Sequence, residues 1–164
     1  MKYIFLDIDG VLNNENTKDC NPSGYAGVSM KLVRNLAKVV QRTDAKIILT
    51  SDWKYGWSEK RFCCDDDIIY LLDKLKKCRL KIHGCTHDEK LDDKFFTDRG
   101  AGIRRYLESC GDADGYVIID DHIFADFDEE QKAHLIHTDP VKGFTEDDAD
   151  RAIEILSGYE SNGQ

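Results

Sequence analysis

Apolar runs of strand length alternate along this chain with stretches of helical periodicity, and that alternation restricts the fold more than any other feature. Lys2–Ile8 (KYIFLDI) is a short aromatic-containing run that reads as a buried strand. Ala45–Thr50, Arg79–His83, Tyr116–Asp120 and His134–Thr138 are read as further strands. Between them, Ser29–Thr43 spaces Met30, Val33, Leu36, Ala37 and Val40 as one helical face, and Asp66–Cys78 repeats that spacing through Ile69, Leu72 and Leu75. Arg99–Ser109 places Ile103 and Leu107 on one face, and Thr145–Leu156 closes the chain as a helix. Thr145 and Asp148 there form a capping-box spacing, with Asp in place of the usual Glu or Gln. Val11–Ser29 is polar and rich in Gly and Asn, hence a loop or small flap. Strands separated by helices imply parallel βαβ units, so the expected fold is α/β, a doubly wound (Rossmann-like) five-stranded parallel sheet. At 164 residues the expectation is a single domain spanning 1–164.

In such sheets ligands collect beyond the carboxyl ends of the strands, at the topological switch point. The residues closing the strands are Asp7 and Asp9, Thr50 and Ser51, and Asp120 and Asp121. Asp7 and Asp9 would share a side in a strand and can diverge around a centre where the strand runs out, with Gly10 free to turn. Carboxylates clustered at strand ends repel one another unless a cation sits among them. An all-oxygen donor set of this kind suits Mg2+, which keeps waters and is completed by substrate phosphate. A carboxylate can also attack phosphorus, and a hydroxyl such as that of Thr50, with a nearby cation, can hold the transferring phosphoryl oxygens.

Composition narrows the function classes. The formal net charge of −9 disfavours non-specific nucleic-acid binding through Lys and Arg, though not binding through a local basic patch or a metal ion. No apolar run approaches the roughly 20 residues of a membrane span. Tyr3–Leu12 carries Asp7 and Asp9 and is no signal peptide, so the expected setting is cytoplasmic, with the six cysteines reduced.

Phe5-Leu6-Asp7-Ile8-Asp9-Gly10-Val11-Leu12 resembles the first motif of the haloacid dehalogenase (HAD) superfamily, the aspartate-nucleophile phosphatases. Ile47-Ile48-Leu49-Thr50-Ser51 is similar to its second motif and Val117-Ile118-Ile119-Asp120-Asp121 to its fourth. Thr50-Ser51-Asp52-Trp53, Arg99-Gly100 before a helix, and Thr138-Asp139-Pro140 with Gly143-Phe144-Thr145 look closest to the HAD-like domains of Swiss-army-knife RNA repair proteins. The resemblance implies that Asp7 is nucleophile and metal ligand. It implies that Asp9 is acid and base, its carbonyl also a metal ligand. It further implies that Thr50 binds phosphate, with Ser51 as fallback, and that Asp120 and Asp121 hold Mg2+. Asp126 is a candidate outer acid. The third motif requires one basic residue, for which Lys94, Arg99, Arg104 and Arg105 are candidates. Arg99 is chosen because Gly100 follows it at a helix start, although Lys is commoner there in the superfamily.

Many relatives carry a cap domain over the site. Here the first gap, Val11 to Ser29, is too short for one, and Gly84–Thr97 remains only as a polar loop, so the expected protein is capless or carries a minimal insert at 84–97. Trp53, Tyr55 and Trp57 follow the second motif and could stack on a base or pack the sheet flank. Gly10, Ser51 and Trp53 are accordingly taken as substrate-binding residues. Lys54, Lys60 and Arg61 could meet a backbone phosphate, and Lys74, Lys76, Lys77, Arg79 and Lys81 form a denser basic run or a solvated face. Cys63, Cys64, Cys78, His83, Cys85 and His87 lie within 25 positions and leave a zinc site open, though their spacing matches no standard pattern.

The expected activity is a Mg2+-dependent phosphomonoesterase working through an aspartyl-phosphate, on a nucleic-acid end or nucleotide. The alternatives are a small-metabolite phosphatase of the same superfamily and a non-catalytic binding module with the same fold.

Overall fold

A computed structural model describes residues 1–87, 98–111 and 113–158. The strands are β1 (Lys2–Leu6), β2 (Lys46–Leu49), β3 (Ile82–Cys85), β4 (Gly115–Asp120) and β5 (Leu135–His137). The helices are α1 (Met30–Thr43), α2 (Asp66–Lys76), α3 (Arg99–Cys110), α4 (Glu129–Ala133) and α5 (Glu146–Gly158), with short 3-10 turns at Asp52–Gly56 and Arg61–Cys63. The five strands form one parallel sheet in the order β3-β2-β1-β4-β5.

Strand alternation sorts the side chains to two faces. Ile4, Leu6, Ile47, Leu49, Val117 and Ile119 join Leu36, Leu71 and Leu156 in one core, under α1, α2 and α5. Tyr3, Phe5, Ile48, Tyr116 and Ile118 pack on the other face with Ile103 of α3 and Phe127. Helices on both faces make this the doubly wound α/β fold that the alternation predicts. After β1 the chain runs outward through β2 to β3, then returns to the other side of β1 for β4 and β5. The switch point therefore lies between β1 and β4, which are followed and closed by Asp7 and Asp120.

The ends of the elements differ from the sequence expectation in informative ways. The third strand is Ile82–Cys85 rather than Arg79–His83. Arg79 adopts φ 59°, and the N–H groups of Cys78, Arg79 and Leu80 bond back to carbonyls of Leu75 and Lys76, so these residues close α2 instead of opening β3. Gly84 and Cys85, expected in a loop insert, thus belong to the sheet. The remainder of that insert from residue 88 to residue 97, with Lys94, lies outside the described residues. Helix α4 has no apolar stripe to betray it; it is held by a full capping box between Asp128 and Gln131. The expected cap on α5 is present: Thr145 N donates to Asp148 Oδ2 at 3.0 Å, and Asp148 N to Thr145 Oγ1 at 3.2 Å.

Candidate active site

The ladder carries its polar residues to one end of the sheet. Leu6 pairs with Leu49, so Asp7 and Thr50 follow side by side, and Asp7 N donates to Ile119 O at 3.0 Å, beside Asp120. Asp7, Asp9, Gly10, Ser51, Arg99, Asp120 and Asp121 surround one open cleft of about 270 Å³, together with Asp52, His122 and Phe124. These seven were all named from sequence, although they come from four separate segments.

Arg99, the first residue of α3, is the cation of this cleft. Its Nη1 donates to Asp120 Oδ2 at 2.7 Å and to Asp7 Oδ1 at 3.0 Å, and the guanidinium lies 4.4 Å over the Phe124 ring. Arg99, Asp7 and Asp120 are all buried. Of the other candidates, Arg104 bonds Asp128 and Gln131, Arg105 bonds Asp98 and the His87 carbonyl, and Lys94 lies outside the described residues. Gly100 explains the Arg-Gly pairing. A Cβ there would lie 2.6 Å from the Asp126 carbonyl oxygen, so only glycine lets α3 approach closely enough to deliver Arg99. Asp126 accepts from Ala101 N at 2.9 Å, and Gln131 Nε2 donates to Gly100 O at 2.8 Å. Asp126 therefore anchors the start of α3 rather than joining the carboxylate group.

Ligand oxygens of Asp7, Asp120 and Asp121 come within 4.8 Å of one another, the one group of three or more metal-capable side chains found among the described residues. Octahedral Mg2+, with ligands at about 2.1 Å, needs neighbouring oxygens roughly 3–4 Å apart, so this donor set fits it with small adjustment. Gly10, at φ 72°, is required here: a Cβ would meet Asp121 Oδ2 at 2.4 Å. Burial and the neighbouring Asp120 push the Asp7 carboxyl up to about 7, against the pull of Arg99. Burial likewise raises Asp120, with Arg99 opposing it, and raises Asp121. A cation placed among these carboxylates would offset that cost.

Asp9 is exposed and held from two sides. Asn13 Nδ2 donates to its Oδ1 at 2.8 Å and Trp53 Nε1 to its Oδ2 at 3.0 Å. Asn13 is a site residue that sequence reasoning passed over. It is buried, donates also to Gly27 O, and accepts from Gly10 N. The available signal was an amide four positions after Asp9, in a turn otherwise made of apolar residues. Thr50 is fully buried and its Oγ1 has no hydrogen-bond partner, while Ser51 Oγ accepts from Trp53 N at 3.4 Å.

The structure decides between several alternatives that the sequence left open on the surface. Lys54 is buried, its Nζ 3.3 Å from both Thr50 O and Thr86 Oγ1, so it braces the end of β2 instead of facing a substrate. Arg61 pairs with Asp73. The basic run from Lys74 to Lys81 lies around the C-terminus of α2, at the opposite end of the sheet from the cleft, and Lys74 bonds Asp19. Trp57 packs against the core, whereas Tyr55 is 61% exposed. Among the described residues the thiols and imidazoles of 63–87 do not converge; Cys64 Sγ instead accepts from Ser58 N.

A parallel α/β sheet with a buried Asp–Arg–Asp group and an exposed Asp at its switch point defines a carboxylate-based site of the HAD type. The family described as the HAD domain in Swiss Army Knife RNA repair proteins matches residues 3–149, and the chain belongs to that family. No curated protein and no solved structure matches the chain. Family and site together point to a hydrolase of phosphatase type. Among the described residues no helix is long and apolar enough to cross a membrane.

Proposed function

We propose that the chain, read as one domain over 1–164, is a Mg2+-dependent phosphomonoesterase acting through an aspartyl-phosphate at Asp7. The observation that carries this reading is the three-way contact of Arg99 with Asp7 and Asp120, set beside the unpartnered hydroxyl of Thr50. Asp7, Asp120 and Asp121, with the Asp9 carbonyl, would hold Mg2+, which neutralises phosphoryl oxygens when bound. An Asp7 carboxylate oxygen attacks phosphorus and the ester P–O bond breaks. The leaving oxygen takes its proton from Asp9, whose two hydrogen bonds aim the carboxyl at the cleft. Asp9 then takes a proton from water as that water attacks phosphorus, which frees Asp7 and inorganic phosphate. Arg99 favours the ionised form of Asp7 against burial, and its buried Nε makes no hydrogen bond within the protein and is available to a phosphoryl oxygen. Thr50 would supply a further donor.

A phosphorylated nucleic-acid end or nucleotide is the preferred substrate class. The family's description by RNA repair, the openness of the cleft and the aromatics beside it support that preference. A cytoplasmic setting fits the six cysteines, none of which is in a disulfide. The test is phosphate release from an aryl phosphate, 3′- and 5′-phosphorylated oligonucleotides and a nucleotide panel, with and without Mg2+, for wild type and Asp7→Asn. Release that needs both Mg2+ and Asp7 is expected; release retained by Asp7→Asn would refute the mechanism.

A further inference from the structure

A second and larger groove, of about 630 Å³, adjoins the cleft and shares Asp9 and Asp52 with it. That volume lies within the usual range for small-molecule sites. Asp9 thus stands on the boundary of the two, and a leaving group protonated by Asp9 would lie next to this groove. Its walls combine Trp53, Tyr55 and Tyr25, the two tyrosines 61% and 74% exposed, with the carboxylates of Asp65 and Asp67. Trp53 is fixed through its bond to Asp9, and the loop bearing Tyr25 is tied down by an antiparallel bridge between Cys20 and Ala26. Among the described residues no Lys or Arg lines the groove.

We infer that this groove receives the single nucleoside attached to the scissile phosphate, and that its acidic lining selects mononucleotides over oligonucleotide ends. This rests on the reading of Asp7 and Asp9 as a phosphatase pair. Aromatic faces at the mouth match a base of any sequence. Carboxylates match the amino and hydroxyl donors of a nucleoside and repel the next phosphate of a longer chain, which would fall beside Asp65 and Asp67 without a cation to receive it. The family's description by RNA repair makes an oligonucleotide end the obvious substrate; the charge of this groove favours the smaller one.

The test has two arms, both on the full chain. In the first, unphosphorylated nucleosides and free ribose are titrated without metal into Trp57→Phe, which leaves Trp53 as the only indole. Saturable quenching by nucleosides but not by ribose is expected, weakened about tenfold or more in the additional variant Tyr55→Ala. In the second, kcat/KM is compared for a mononucleotide and an oligonucleotide ending in the same nucleotide. The mononucleotide is expected to lead by about tenfold or more at low salt. That ratio is expected to narrow at high salt and in the double variant Asp65→Asn/Asp67→Asn, whose amides keep the hydrogen bonds to Ile68 N and Ser23 N. Equal or faster turnover of the oligonucleotide, or no nucleoside quenching, overturns the inference while leaving the phosphatase reading standing. Nucleoside quenching with no phosphate release from any substrate supports the groove and defeats the phosphatase reading.

Discussion

Arg99 Nη1 reaches Asp7 Oδ1 at 3.0 Å across 92 residues of chain, and both groups are buried. The same nitrogen serves Asp120, so one cation offsets two carboxylates at the junction of β1 and β4. Arg99→Met removes that compensation without removing bulk. We expect it to destabilise the fold by about 3–5 kcal/mol above neutral pH, the usual cost of stranding buried charge. We expect kcat to fall about 100-fold or more, since a preorganised donor is lost. Thermal melts and phosphate release measure the two effects, and a variant with wild-type stability would show that the pair is not compensated through Arg99.

Thr50→Val separates stability from catalysis. The Oγ1 of Thr50 is buried and makes no hydrogen bond, so replacing it by a methyl group relieves a desolvated hydroxyl. The melting temperature is expected to hold or rise, while kcat/KM falls about 100-fold if the hydroxyl meets the phosphoryl group. Loss of both together would indicate instead that Thr50 is needed for packing.

Asp7→Asn is expected to abolish turnover and yet stabilise the metal-free protein at alkaline pH. The Asp7 carboxyl is raised from 3.8 to about 7, chiefly by burial. A carboxyl raised on folding contributes stability fully below its unfolded value and loses it as pH climbs through the folded value. The advantage of Asp7→Asn should therefore be largest near pH 8 and shrink toward pH 4. For a chain of this size each kcal/mol shifts the melting temperature by about 2–4 °C. Mg2+ should raise the melting temperature of wild type more than that of Asp7→Asn.

Gly100→Ala inverts the usual helix preference. Alanine in a helix interior is ordinarily favoured over glycine by about 1 kcal/mol. Here the added Cβ would lie 2.6 Å from a backbone oxygen of Asp126, so α3 must move and Arg99 with it. Both melting temperature and kcat should drop, and an alanine variant as active as wild type would show that α3 can shift without disturbing Arg99.

Asn13→Ala should act on Asp9 and on the turn around it, because the Asn13 bonds to Gly10 N and Gly27 O are lost as well. It deletes the 2.8 Å bond to Asp9 Oδ1 and leaves the Trp53 contact in place. The expected result is a fall in kcat of about tenfold, with a moved limb in the pH–rate profile. A fall confined to KM would assign Asn13 to substrate binding.

Much of this was legible in the linear chain because it is local. Strand and helix periodicities are set within a few residues, so the five strands, the parallel sheet and the cap on α5 could be read directly. The motif acids could too, since Asp7, Asp9, Asp120 and Asp121 end apolar runs and a parallel sheet places all such ends on one side. What could not be read depends on groups brought together from far apart. The Arg-Gly pairing singled out Arg99, but its bonds to Asp7 and Asp120, and the close approach of Gly100 to Asp126, come only from tertiary packing. Lys54 turns inward because Thr86 and the Thr50 carbonyl await it, and the basic run after Lys74 falls at the wrong end of the sheet because α2 runs antiparallel to β3. Asn13, with bonds to Asp9, Gly10 and Gly27, has no helical or strand period to mark it. Short-range pattern thus determined the fold class and the acids, while packing of distant segments decided that Arg99 bonds both Asp7 and Asp120 and that Tyr25, Trp53, Tyr55 and Asp67 line one groove.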